Sequence, residues 1–235
     1  MSGPLEGIKV IDISAVISGP MACQVLCDQG AEVIKVEPLG MGDITRIGGF
    51  RVGDISAMYA SANRGKRSIA LDLSRNEGIE VLKELVKTAD VIVQNFRPGA
   101  VERMGIGPET LMGINPDLIY VSISGFGPSG PYRDWRVYDP IVQSVSGVVS
   151  IQQSPDIPIP DLVRTIVCDK TTALTASNAI TAALFLNRFI DKNTNWAHVD
   201  LMAWNTSSRP GFPVGGEAMG LRSIVNMIIK YCSKS

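Results

Sequence analysis

Between residues 9 and 124 the chain alternates short β-branched runs with segments of helical periodicity, and a chain with that rhythm has few folds open to it. Residues 9–13 (KVIDI) read as a strand too apolar to have a wet face. A Ser-Gly-Pro turn follows, in which Pro20 suits the first position of a helix running from Met21 to about Gln29. Gly30 ends that helix as a C-terminal glycine does, and residues 31–37 (AEVIKVE) return as a second strand, completing a βαβ unit. The pattern then repeats. Residues 67–73 form a strand, and Ser74 with Glu77 three positions on is a capping box for a helix to about Ala89. In that helix Ile79, Leu82, Leu85, Val86 and Ala89 share one face. Residues 90–94 are the next strand, 98–104 a short helix, and 118–124 (LIYVSIS) a further strand. The implied fold class is α/β, a parallel sheet with helices on both faces.

Downstream of Gly125 the text turns to Gly, Pro, Ser and aromatic residues, with a helical pattern only around 140–148, so residues 125–164 read as surface loop. Residues 165–168 lead into Asp169, where a long helix begins and runs to about Ile190. Its apolar residues fall on nearly every face, which predicts deep burial. Thr175, Ser177, Asn178, Thr181, Asn187 and Arg188 interrupt the apolar run and argue against a membrane span. Residues 198–204 (HVDLMAW) read as a strand. The predicted organisation is one large domain over residues 1–204, followed at 205–235 by a linker or a divergent or truncated tail.

Charge excludes some partners. Against 22 Lys+Arg stand 23 Asp+Glu, a formal net charge of -1, so there is no electrostatic case for nucleic acid or an anionic membrane. Cys23, Cys27, Cys168 and Cys232 make no CxxC pair, which fits reduced thiols in the cytoplasm better than a disulfide framework or a zinc site. The N-terminus carries no secretory pattern, and no ligand cluster for a metal is visible.

In open α/β sheets ligands bind beyond the carboxyl ends of the strands, which directs attention to four segments. Residues 14–20 (SAVISGP) place a Gly-Pro turn at a helix N-terminus, either an anion or oxyanion receptor or an ordinary connector. It is neither a GxGxxG fingerprint nor a Walker A loop, which counts against a dinucleotide such as NAD. In residues 94–100 (QNFRPGA), an adenine could stack on Phe96 while Arg97 and Arg103 take phosphates; the bland alternative is a helix cap with solvated arginines. Residues 125–132 form a glycine loop that lets a ligand approach the backbone, or simply a connector. At the fourth, Asp169 stands at the mouth of the long helix, where a carboxylate stays ionised while largely dry and can attack a thioester. An Asp in that place is also a favoured N-cap and nothing more. Cys168, on the opposite face if the strand persists, reads as core. The single histidine, His198, leaves only one candidate base for a Ser-His or Cys-His device.

Taken in order, PLEGIKVIDIS, ISGPMACQVLCDQGAEVIKVEP, GDITR, NRGKRSIALDL, ADVIVQNFRPGAVERMG, INPDLIYVSISGFGPSGPY, YDP and VCDK resemble the family III coenzyme A transferases, also called the CaiB/BaiF family. The resemblance runs from about Leu5 to Trp204. It implies a Rossmann-like, CoA-binding large domain, with the family's small domain largely missing here, and a homodimer of two interlocked chains. By analogy Asp169 is the nucleophile that takes up the acyl group as a mixed anhydride while CoA is moved, through an aspartyl-CoA thioester, from an acyl-CoA donor to a small carboxylic acid. The same analogy places coenzyme A against Leu71, Asn95, Phe96, Ala100, Arg103 and Arg136, with Tyr138 near the reacting end. Pro38 and Ser74 depart from basic residues of some relatives, and Ile17 from a glutamine of formyl-CoA transferase. The 2-methylacyl-CoA racemases share the fold but pair an Asp with a preceding His; Tyr138 stands in that place, and a phenol is a poor base at neutral pH. A chain that binds CoA without doing chemistry is the reading from another class.

Overall fold

The computed structural model describes residues 3–154, 156 and 158–190, with the backbone of 204–205 and 215–216. Two compact units are present, residues 1–187 and 188–235. The first opens with β1 (Lys9–Asp12), α1 (Ser18–Asp28) and β2 (Glu32–Glu37). A 3-10 turn (Ile44–Arg46), a hairpin of β3 (Arg51–Val52) and β4 (Ile55–Ser56), and α2 (Ala57–Asn63) precede β5 (Arg67–Ala70). Then come α3 (Asn76–Val86), β6 (Val91–Gln94), α4 (Ala100–Arg103), α5 (Pro108–Ile114) and β7 (Ile119–Ser122). The unit finishes with α6 (Asp139–Val145), α7 (Val148–Ile151) and α8 (Val167–Asn187). In the second unit β8 (Trp204–Asn205) pairs antiparallel with β9 (Gly215–Gly216).

Five strands form one parallel sheet in the order β5-β2-β1-β6-β7. Strand side chains alternate between two cores. Val10, Val91 and Val93 pack with Cys23 and Leu26 of α1 and Ile180 and Leu184 of α8 on one face. Ile11 and Ile92 meet Leu82 and Val86 of α3, Val101 of α4 and Leu111 of α5 on the other. Leu82 is fully buried, so truncating it to Ala removes roughly 2–5 kcal/mol. The order reverses between β1 and β6, and in open α/β sheets the ligand crevice lies beyond the carboxyl ends of the strands at such a point.

Several local expectations are corrected. Helix α1 starts three residues before Met21, although Gly30 does close it at φ +100°. Ser74 is not a cap: its N–H and hydroxyl both donate to Asp72 Oδ1, at 3.0 and 2.6 Å, and α3 begins only at Asn76. Helix α8 begins at Val167, which places Asp169 inside its first turn rather than before it. Nor is α8 buried on every face. Ala173, Ser177, Ile180 and Leu184 form one buried stripe at alternating four- and three-residue spacing, which packs against α1, α6 and the sheet, while Leu174 and Phe185 on other faces are exposed. Residues 198–203, His198 included, lie outside the described residues, as does Cys232.

Candidate active site

Two clefts open beyond the carboxyl ends of the strands, and Phe96, which follows β6, lines both. The first, about 480 Å³, lies over β2 and β5 and is lined by Ser14, Glu37, Asp43, Leu71, Asp72 and Phe96 among others. The second, about 450 Å³, lies beside α1, α6 and α8. It gathers Asn95, Phe96, Arg97, Arg136, Tyr138 and Asp169, which the chain supplies from separate stretches. Leu71 is therefore in the neighbouring cleft, while Ala100 and Arg103 sit on α4 and line neither.

Asp169 is half-buried, and burial together with two neighbours, Asp139 and Ser18, defines its chemistry. Desolvation pushes its carboxyl above the ordinary aspartate value, the nearby charge of Asp139 pushes the same way, and a hydrogen bond from the Ser18 side chain opposes them. Asp139 is buried and caps α8 from a different helix: its Oδ2 accepts from the Asp169 N–H at 3.0 Å. Its Oδ1 takes the Gln143 amide at 2.5 Å. Gln143 in turn accepts from the Val163 N–H at 2.8 Å and reaches the Val163 and Thr165 carbonyls, both at 3.3 Å. This network fixes the approach to α8 and hence the position of Asp169. Cys168 does not point away as expected but lines the same cleft, since the backbone is already helical and successive side chains lie about 100° apart rather than opposite.

Asn95 lines the second cleft and also joins two loops. Its side chain accepts from the Ala15 N–H at 2.8 Å and donates to the Ala15 carbonyl at 2.7 Å, so its amide joins the β1–α1 loop to the β6–α4 loop across the crevice. Gly19 has no room for a side chain, as a Cβ there would lie 2.3 Å from Ser14 Cβ. Gly125 is equally tight, 2.2 Å from Val137 Cγ2. The glycine loop is further ordered by Phe126, Tyr132 and Trp135, whose ring centroids lie 4.3–6.1 Å apart.

Beneath the β1–α1 loop lies a buried charge cluster. Lys66 Nζ contacts Asp12 Oδ2 at 2.8 Å, the Pro20 carbonyl at 2.7 Å and Asn63 Oδ1 at 2.9 Å. Lys35 Nζ lies 3.1 Å from Asp43 Oδ2 and 3.9 Å from Asp12 Oδ2. Glu37 accepts from Arg46, Tyr59, Ser68 and the Asp43 N–H, which together hold its carboxyl well below the usual carboxylate range against the cost of burial. Arg46 also lies over the Tyr59 ring, 3.8 Å from its centroid. No group of three or more His, Cys, Asp or Glu side chains suited to a metal occurs among the described residues. None of their helices is long and apolar enough to cross a membrane.

Residues 5–195 match the family model described as CoA-transferase family III. The chain belongs to that family. It is 41% identical over 199 residues to an acetyl-CoA:oxalate CoA-transferase of Acetobacter aceti, covering 85% of this chain and 50% of that one. It is 42% identical over 182 residues to the succinyl-CoA:glutarate CoA-transferase of Homo sapiens, covering 77% and 41%. A crystal structure of a CaiB/BaiF family protein from Brucella suis superposes with a TM-score of 0.76 at 39% identity, over 80% of this chain and 51% of that one. This family III chain thus spans about half the length of the relatives it matches. Ser18, Asp43, Gln143 and the aromatic trio were missed from sequence: GDITR stood out as a segment, but nothing in it told which atom Asp43 touches.

Proposed function

We propose that this family III chain carries the CoA-handling and acyl-transfer site of an acyl-CoA:carboxylate CoA-transferase, with Asp169 as nucleophile. The observation that carries this reading is a carboxylate on the wall of a cleft, desolvated, beside a like charge and with a neutral donor. Such a group is reactive toward a thioester carbonyl. Asp169 attacks that carbonyl and the C–S bond breaks, giving a mixed aspartyl anhydride and CoA thiolate. The thiolate then attacks the aspartyl carbonyl and releases the donor carboxylate, leaving an aspartyl-CoA thioester. An acceptor carboxylate attacks this thioester and expels the thiolate, and return of the thiolate to the acceptor's carbonyl frees Asp169. Ser18 and Gly19 open α1, where backbone N–H groups lack intrahelical partners and can receive the tetrahedral oxyanion. Phe96, shared by both clefts, offers an aromatic surface for the nucleotide, and Arg97 and Arg136 offer charge for its phosphates.

Proton abstraction from an acyl α-carbon needs two opposed titrating groups. Asp139 is already committed to the Asp169 N–H and Gln143, and Tyr138 is 71% exposed. These observations favour transfer over racemisation. The test incubates the full chain with acetyl-CoA or succinyl-CoA and with oxalate or glutarate, then traps with hydroxylamine and maps the adduct by mass spectrometry. A hydroxamate at Asp169, absent from Asp169→Asn, is expected. Undiminished transfer by Asp169→Asn overturns the reading, and α-deuteration without transfer replaces it with a racemase.

A further inference from the structure

Val16 is the non-glycine residue with positive φ among the described residues, at +70°. A β-branched side chain is disfavoured in that conformation, which persists only where the surroundings over-determine it. Packing does not compensate, since the Val16 side chain is 44% exposed on the cleft wall. What surrounds the turn is a set of hydrogen bonds on consecutive backbone groups. The Ser14 N–H donates to Asp12 Oδ1 at 3.0 Å, and the Ser14 carbonyl accepts from Lys35 Nζ at 2.9 Å. Asn95 takes both the N–H and the carbonyl of Ala15. The Val16 N–H donates to the Asp43 carboxylate, at 3.2 and 3.4 Å to its two oxygens.

Asp43 is itself immobilised. It is buried, its N–H donates to Glu37 Oε2 at 2.9 Å, and its Oδ1 accepts from the Thr45 N–H at 2.9 Å and hydroxyl at 2.8 Å. Two residues beyond Val16 stands Ser18, the first residue of α1, which lines the same cleft as Asp169 and whose side chain acts to lower the Asp169 carboxyl. The turn therefore leads directly from the clamped groups to the donor on the reactive carboxylate.

We propose that Asp43 and Asn95 are positioning residues, which clamp the β1–α1 turn in its left-handed state at Val16 and thereby hold the Ser18 hydroxyl on Asp169. The inference deepens the transferase reading and rests on it for its catalytic meaning, but the clamp itself is measurable without turnover. When either arm is removed, Val16 relaxes toward extended backbone, Ser18 is withdrawn, and Asp169 loses its neutral donor.

The experiment follows the Asp169 carboxyl by carbon NMR titration in the full chain, for wild type, Ser18→Ala, Asp43→Asn, Asn95→Ala and Asp43→Asn/Val16→Gly. Asp139 from α6, Cys168 beside it, and Arg97, Arg133, Arg136 and Tyr138 on the cleft walls also face this site, and they are the same in every variant. Asp43→Asn, Asn95→Ala and Ser18→Ala should each raise the midpoint by roughly half a unit to one unit, the equivalent of one lost hydrogen bond. Loss of the Asp43 charge alone would move it the other way. Glycine removes the penalty of a positive φ, so Val16→Gly should return the Asp43→Asn midpoint most of the way to wild type. Single-turnover acylation by succinyl-CoA should fall about tenfold in the single variants, the population cost of unclamping a β-branched residue, and recover in the double variant.

Midpoints unchanged or lowered in Asp43→Asn and Asn95→Ala, or no recovery with Val16→Gly, overturn the clamp. If Asp43→Asn fails to fold, Asn95→Ala on the open side of the turn decides alone. Shifted midpoints in a chain that never acylates Asp169 uphold the clamp and remove the transferase reading instead.

Discussion

The buried charges under β1 and the carboxylate at the mouth of α8 are both withdrawn from water, yet their surroundings act in opposite directions. Asp12 is fully buried between Lys66 and Lys35, and these cations, with the Ser14 hydroxyl, hold its carboxyl below the usual aspartate value although burial pushes it up. Asp169 is only half-buried, has a like charge beside it, and its carboxyl is raised. In the first region every charge is matched, which makes the cluster a fixture of the fold. In the second the match is left incomplete, and an incompletely matched carboxylate keeps free energy available for attack on a substrate.

Four measurements would break or sharpen that contrast. Asp169→Asn should lower CoA transfer by at least about 1000-fold, as loss of a covalent nucleophile does, while the thermal midpoint holds or rises; steady-state assay and melting on one preparation check both. Asp12→Asn should do the reverse. It leaves two buried lysines without their shared partner and should cost about 3–5 kcal/mol in urea unfolding.

Third, the two regions should respond oppositely to pH. The depressed carboxyls of Asp12 and Glu37 contribute stability above their unfolded values of about 4, and it is lost as pH falls through their folded values. The raised carboxyl of Asp169 contributes stability only below about 4, lost as pH rises through its folded value. Wild type and Asp169→Asn should therefore unfold alike in acid, with the variant the more stable at neutral pH; urea midpoints across the range give the difference. The smallest effect belongs to Asp139→Asn. Removing that charge should move the acid limb of acylation downward by less than about one unit, because desolvation is the larger cause of the shift; a pH–rate profile of hydroxamate formation reads it.

The strands and most helices of the sheet were legible in the chain because period-2 and period-3.6 patterns act over a few residues. Even the glycine that ends α1 was placed, since its role is local. The hairpin at residues 51–56 and helices α2 and α5 were not read, being too short for periodicity to register. Ser74 was misread because its hydroxyl had a competing acceptor, Asp72, two residues back. Of the site, Asp169 could be picked out by its place after an apolar lead. Ser18 and Gln143 could not, because Ser18 meets Asp169, and Gln143 meets Val163 and Thr165, only once the chain has folded.

The sequence by itself determined the alternation of strands and helices, the covering of both sheet faces, and the family, because local propensity and residue order carry that information. Tertiary structure alone decided that Asn95 meets Ala15, Asp43 meets Val16 and Asp139 meets Asp169, across 80, 27 and 30 positions. Such meetings depend on strand order and on how each loop leaves the sheet, and no pattern of neighbouring side chains encodes a hydrogen bond between residues that only the fold brings together.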